Sequence, residues 1–243
     1  LKFIDLLINA KLENFCQTTI NAIEPELKLH YDQYQFANPV WKPMHRLEDY
    51  FAPTLATSCS SADFCLTDYE ATDIEVVLET LFDDARLHLT EKSLRPIACG
   101  QPFILAATAG SLEYFRNYGF KTFEQCWDQS YDQIEDTKDR LHAIVELMKQ
   151  IANWDPHTRK QKMAQAQLIA DHNRAWFFSN EFRDKILNEF TENIMAAAEI
   201  MKQNRSAKVS KTSWYIRDQI KPTTDPALLE IRSKINDWIS KPL

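Results

Sequence analysis

Glycine is almost missing from this sequence: three residues among 243, all between positions 100 and 119. A chain with so few freely bending backbone positions is expected to be mostly helical, and the single stretch that carries glycine is the first place to look for a site. Basic charge is also short. Lys plus Arg number 28 against 35 Asp plus Glu, for a net charge of −7, which disfavours a general electrostatic grip on nucleic acid and leaves only a local basic patch. No apolar run approaches the ~20 residues of a membrane span, so no membrane-spanning segment is expected. The five cysteines, Cys16, Cys59, Cys65, Cys99 and Cys126, are odd in number and contain no CxxC pair. They propose neither a disulfide framework nor a zinc knuckle, and they fit a reducing, cytoplasmic compartment. Internal repeats are absent as well.

What is present divides the chain into three. The sequence opens at Leu1, already inside an amphipathic pattern, with no basic leader, cleavage site or transit-peptide bias. We therefore expect a region preceding it. Phe3, Leu6, Leu7, Ala10, Phe15 and Ile20 recur at helical spacing, so residues 2–36 read as mainly helical up to Pro25. Residues 37–72, with Pro39, Pro43, Pro53 and the cluster 57–61, read as irregular. Residues 1–72 thus form a helical and irregular N-terminal segment without any strand-turn-helix series.

Residues 73–152 differ. Strands are expected at 74–82, 102–107 and 120–123, with helices at 91–99 and 111–118 between them, Thr90 capping the first and Gly100 and Gly119 closing them. This alternation predicts an α/β domain with a parallel sheet of at least three strands. From Asp136 the pattern is helical again, and residues 153–243 read as a helical extension, with a loop at 203–213 and a last helix over 225–238.

The densest chemistry lies between Glu79 and Phe123. Glu91 and Lys92 open the helix at 91–99, and Arg95 follows one turn later. A helix N-terminus offers free N–H groups and a positive dipole end, and Lys92 with Arg95 adds two cations on nearly one face. Glu91 is an acceptor for hydroxyls. Together they suit a diphosphate joined to a sugar. Gly110, after the second strand, offers a second close backbone approach at the carboxyl end of the sheet, where ligands bind in open α/β folds.

The stretch LTEKSLRPIACGQPFIL (residues 89–105) resembles the donor-binding motif of α1,3-fucosyltransferase-like glycosyltransferases of the GT-B type, through Thr90, Glu91, Lys92, Gly100, Pro102 and the strand at 103–107. With GFKTF (119–123) and DQSYD (128–132) the longer pattern, over about residues 76–152, is similar to proteins of large viruses and phages. Two departures stand out: His88 replaces the usual aromatic residue, and residues 1–75 hold no counterpart of the acceptor domain. The resemblance implies a Rossmann-like donor domain, half of a GT-B fold, flanked by helical segments. It implies a nucleotide-sugar donor, an unknown acceptor, no essential metal or cofactor, and a partner chain or preceding N-terminal domain to complete the site. Lys92 and Arg95 would neutralise the diphosphate, Glu91 would contact hydroxyls, and Glu79 would line the same pocket. Asp83, Asp84 and His88 are candidates for a catalytic base by sequence proximity alone.

The alternative is a non-catalytic structural or interaction protein, viral in setting, that keeps a glycosyltransferase-like fold. Simpler accounts also cover several dense spots. Residues 128–132 read as a loop with an Asp cap, and 171–176 (DHNRAW) as a helix start or interhelix contact.

Overall fold

The computed structural model describes residues 1–18, 20–23, 28–36, 38–55, 65–204, 226, 229–231 and 233–234. The chain divides into two compact units, Leu1–Ser179 and Asn180–Leu243. The first unit therefore runs across the boundaries expected at 72/73 and 152/153. Its helices explain why. Helix α1 (Lys2–Asn9) packs on α5 (Thr137–Ala152), and α6 (Pro156–Phe177) packs on α3 (Glu91–Cys99). Ala166 and Ala170, both buried, give α6 a smooth inner face.

The expected helix over 2–36 ends early. Lys11 adopts a left-handed φ of 59°, Leu12 N returns to Leu7 O at 2.9 Å and Lys11 N to Ile8 O at 3.0 Å. That double closure terminates α1, with lysine in the place glycine usually takes. The chain then enters β1 (Ile20–Ile23), where Ile20 and Ala22 are buried and Asn21 and Ile23 face out. β1 pairs in parallel with β2 (Pro53–Leu55), Ile20 opposite Pro53. This small sheet was not expected. Around it the chain is irregular, as the prolines imply, and is held by polar pins. The Asp5 carboxylate, fully buried, accepts Met44 N at 2.8 Å and His45 N at 2.9 Å and faces Lys2 Nζ at 2.6 Å. Tyr31 donates its hydroxyl to Glu48 at 2.6 Å and accepts Leu47 N at 2.8 Å. Glu48 also meets the His30 ring. The cluster 57–61 lies outside the described residues.

After α2 (Leu66–Ala71) comes the expected α/β alternation: β3 (Glu75–Leu78), α3, β4 (Phe103–Ala106) and α4 (Ser111–Asn117). β3 and β4 are parallel, Val76 opposite Ile104. Thr90 caps α3 by accepting Lys92 N, and Gly100 closes it at φ 72°. The fold is thus mixed α/β, dominated by helices, with a two-stranded parallel sheet at this point.

The third strand does not form. Residues 120–123 carry no ladder pairing. Phe120 and Phe123 turn inward instead, and Phe115, fully buried, stacks on Phe120 at 4.5 Å and meets Phe103 edge-on at 5.6 Å. Phe123 stacks on Trp127 at 4.9 Å. The backbone groups of Lys121 that a strand would have paired go to one side chain: Asn173 of α6 accepts Lys121 N at 2.8 Å and donates to Lys121 O at 2.9 Å. The carboxamide has the donor-acceptor pair of a peptide unit and stands in for a neighbouring strand. Trp176, one turn on, donates to Tyr118 O at 2.9 Å, and its ring fills the space beside Gly119, whose φ is 93°. Residues 171–176 are therefore an interelement clamp.

Helices α5 and α6 begin at Asp136 and Asp155, each accepting two N–H groups of its first turn. Of the second unit, the described residues form α7 (Asn180–Asn204) and helical pieces at 226, 229–231 and 233–234, with a Glu230–Lys234 pair of 2.8 Å. Most of the expected loop at 203–213 and of the last helix lies outside the described residues.

Candidate functional site

Glu79 follows β3 directly and is buried, 5% exposed. Its carboxylate accepts Thr90 N at 3.0 Å, Thr90 Oγ1 at 2.7 Å and Ser93 Oγ at 2.5 Å. It sits at the N-terminus of α3, where the dipole and the unpaired donors favour an anion. The anion there is the chain's own. Glu79 thus latches the end of β3 to the start of α3 across the loop 80–89.

Lys92 and Glu91 lie on the outer side of the same turn and pair with each other, Nζ to Oε1 at 3.1 Å. Arg95 points elsewhere. Its Nε donates to Tyr69 OH at 2.8 Å and a terminal nitrogen to Glu75 Oε1 at 2.8 Å, while Tyr69 OH donates to Glu75 Oε2 at 2.6 Å. Burial works against the Arg95 charge, but Glu75 and Tyr69 outweigh it and raise the guanidinium further. Lys92 and Arg95 therefore do not converge on one anion.

Gly110 caps α4 with φ 83°, and a side chain there would meet open space. Its N–H donates to Asp132 O at 2.8 Å. The Asp132 carboxyl, 3% exposed, accepts Leu112 N at 3.1 Å in the first turn of α4. Burial pushes that carboxyl up against the pull of the Leu112 N–H. The second helix start at the sheet's carboxyl end is thus also occupied from within. Beside it lies a small polar cavity of about 250 Å³ lined by Arg116, Glu124, Asp128 and Asp132.

The three base candidates are scattered. Asp83 accepts Trp41 Nε1 at 3.2 Å. Asp84 is engaged by Arg86, which holds its carboxyl down at about 2. His88 is exposed on the loop. Thr108 ties the loop after β4 to the loop after β3 by donating to Leu81 O at 2.6 Å. Under it Arg140, 2% exposed, reaches Phe82 O at 2.6 Å and Ile134 O at 2.6 Å. Among the described residues no group of three or more His, Cys, Asp or Glu side chains is placed to hold a metal ion, and no helix is long and apolar enough to cross a membrane.

A larger concavity of the first unit lies elsewhere. A groove of about 880 Å³ runs beside β3, between α1 and the end of α5 on one side and α2 with β3 on the other. Ile74, Val76 and Leu78 line it, with Met148 and Ile151 opposite. Of the candidate site residues Glu79, Glu91, Lys92, Arg95 and Gly110, Arg95 lines it, together with Glu75, Tyr69 and Arg159. The sequence reading missed Glu75 and the groove. The only signal was a glutamate beginning a strand otherwise apolar, and its partners lie 6 and 20 residues away.

No protein-family model, curated protein or solved structure matches the chain.

Proposed function

We propose that the chain is a non-catalytic interaction protein, a small α/β core presenting the groove beside β3 to a partner. The observation that carries this is the Glu79 carboxylate lodged in the N-terminus of α3, repeated by Asp132 at α4. A diphosphate entering the α3 turn meets a like charge. At ~4 Å and an effective dielectric of ~20, that repulsion is about 4 kcal/mol. One charge-assisted contact from Lys92 returns about 1.5–3 kcal/mol, and Arg95 is turned away toward Glu75. The balance is against a tight donor site at this turn.

The test is calorimetric titration of the full chain with UDP- and GDP-sugars, followed by thermal shift. The expected result is no saturable heat and an unchanged Tm at millimolar ligand. A micromolar Kd that Lys92→Ala weakens by tenfold or more would overturn the proposal.

One observation favours a second reading. Gly110 is open at the carboxyl end of β4, with nothing within 4 Å of the place a methyl group on its Cα would take. That reading is the resemblance itself: a Rossmann-like GT-B half binding a nucleotide sugar through Glu79, Glu91, Lys92, Arg95 and Gly110, with a further region or chain supplying the acceptor and base. The same titration decides between the two.

A further inference from the structure

β3 is half paired. Its register on β4 sends Glu75 N to Pro102 O and Glu79 N to Ala106 O. In a parallel ladder alternate residues point their backbone groups the other way. The N–H and C=O of Val76 and Leu78 therefore face away from β4, and among the described residues no hydrogen bond engages them. This open edge lies along the groove, and Leu78 is 43% exposed. Exposed strand edges are ordinarily blunted by charge, proline or a covering element, because they recruit other strands. Here the outward-facing positions are valine and leucine, and the charged groups gather at the amino end of the strand.

We infer that the groove takes an extended polypeptide segment of a partner protein, which adds to β3 as a third strand. This deepens the interaction reading and rests on it. An alternating series of backbone donors and acceptors at strand spacing is matched by another extended backbone. The four residues of β3 span about 13 Å, room for about four partner residues. Ile74, Val76 and Leu78 select apolar side chains at every second partner position. At the amino end of β3, Asp68, Asp73 and Glu75 face Arg95 and Arg159. Both arginines are paired, to Glu75 and Asp73, which leaves Asp68, held only by Gln17 at 3.0 Å, as a carboxylate in excess. The segment is therefore expected to carry a Lys or Arg at that end.

The experiment uses the full chain. Amide exchange by NMR is measured first; Val76 and Leu78 N–H are expected to exchange at least about tenfold faster than Val77 and Glu79 N–H. A random decapeptide display library is then selected on the chain, and the enriched peptides are synthesised. They are expected to show alternate apolar residues with a terminal basic residue, and to slow the Val76 and Leu78 amides on binding. Val76→Pro removes an outward N–H while leaving the β4 ladder intact, and should weaken the peptides by about tenfold or more. Should that variant unfold, the same peptides N-methylated at alternate amides on the unchanged chain give the equivalent loss. Slow Val76 exchange in the free chain, β3 pairing with a second copy of this chain, an empty selection, or peptides indifferent to both modifications would each overturn the inference. Peptides bound elsewhere leave the interaction reading standing; nucleotide-sugar binding removes that reading itself.

Discussion

In residues 1–55, beside an apolar core that includes Leu7, Leu12, Ile20 and Leu47, the irregular segments are pinned by carboxylates: Asp5 on the backbone of Met44 and His45, and Glu48 between Tyr31 and His30. Between residues 75 and 177 buried polar groups such as Glu79 and Asn173 share that role with ring contacts among Phe103, Phe115, Phe120 and Phe123 around β4. A polar fastening holds in one protonation state, whereas a ring stack is indifferent to pH. The first region has little regular structure with which to satisfy its backbone, so carboxylates do that work there. The second has helices and a ladder to satisfy its backbone, and its aromatic cluster adds area removed from water, which does not titrate.

The largest expected effect sharpens that contrast from the apolar side. Phe115→Ala deletes a fully buried ring and should lower unfolding free energy by about 3–5 kcal/mol. Urea denaturation at pH 4.5 and pH 8 should give the same loss; a loss that changes between the two would break the comparison.

Next comes Asp5→Asn, expected to cost about 2–3 kcal/mol at neutral pH, because the amide cannot accept all the donors now aimed at the carboxylate. Burial pushes this carboxyl up, but Lys2, His45 and Met44 outweigh it and hold it at about 2, below its ordinary 3.8. A depressed folded value means the contribution is complete above the ordinary value and is lost as pH falls through about 2. The shift is worth about 2–3 kcal/mol. Denaturation midpoints between about pH 2 and 5 should fall in the parent chain and show a flatter course in Asp5→Asn.

The smallest effect runs in the opposite direction. Asp32 and Glu48 raise His30 above its ordinary 6.5. A raised folded value stabilises fully below the ordinary one and fades as pH climbs through the raised one. The side chain is partly exposed, so the contribution is less than about 1 kcal/mol. The protection factor of the Leu47 amide, which donates to Tyr31 OH, should fall on the alkaline side once the base-catalysed rise in intrinsic exchange is divided out, and His30→Ala should remove that fall.

Much of the α/β order was legible because its signals are local. Thr90 and Gly100 bracket α3, and each cap involves neighbours within a turn. The apolar run before Ala106 is too short for a helix. What escaped is non-local. β1 hides in a series that fits helical spacing, and its partner β2 lies about 30 residues on. FKTF alternates like a strand, yet its ladder was taken by Asn173, 52 residues away. For the site, Glu91, Lys92 and Arg95 sit where sequence spacing puts them on one helix. Spacing along a helix does not say what waits opposite. Glu79 fills the dipole end from 11 to 14 residues upstream, and Glu75 with Tyr69 draws Arg95 to the other side.

Gly119 and Trp176 give the sequence a direction in which it can change. A Cβ at position 119 would lie 2.7–2.9 Å from atoms of the indole, a rigid ring also fixed by its bond to Tyr118 O. Gly119→Ala is therefore closed while the tryptophan stands. A smaller residue at 176 opens the space, and even then the backbone at φ 93° admits asparagine or aspartate before any branched side chain. The order of substitution matters: the indole must go first. Two substitutions that are tolerable together are reached by one path and blocked on the other, so this contact works as a ratchet on the chain's history.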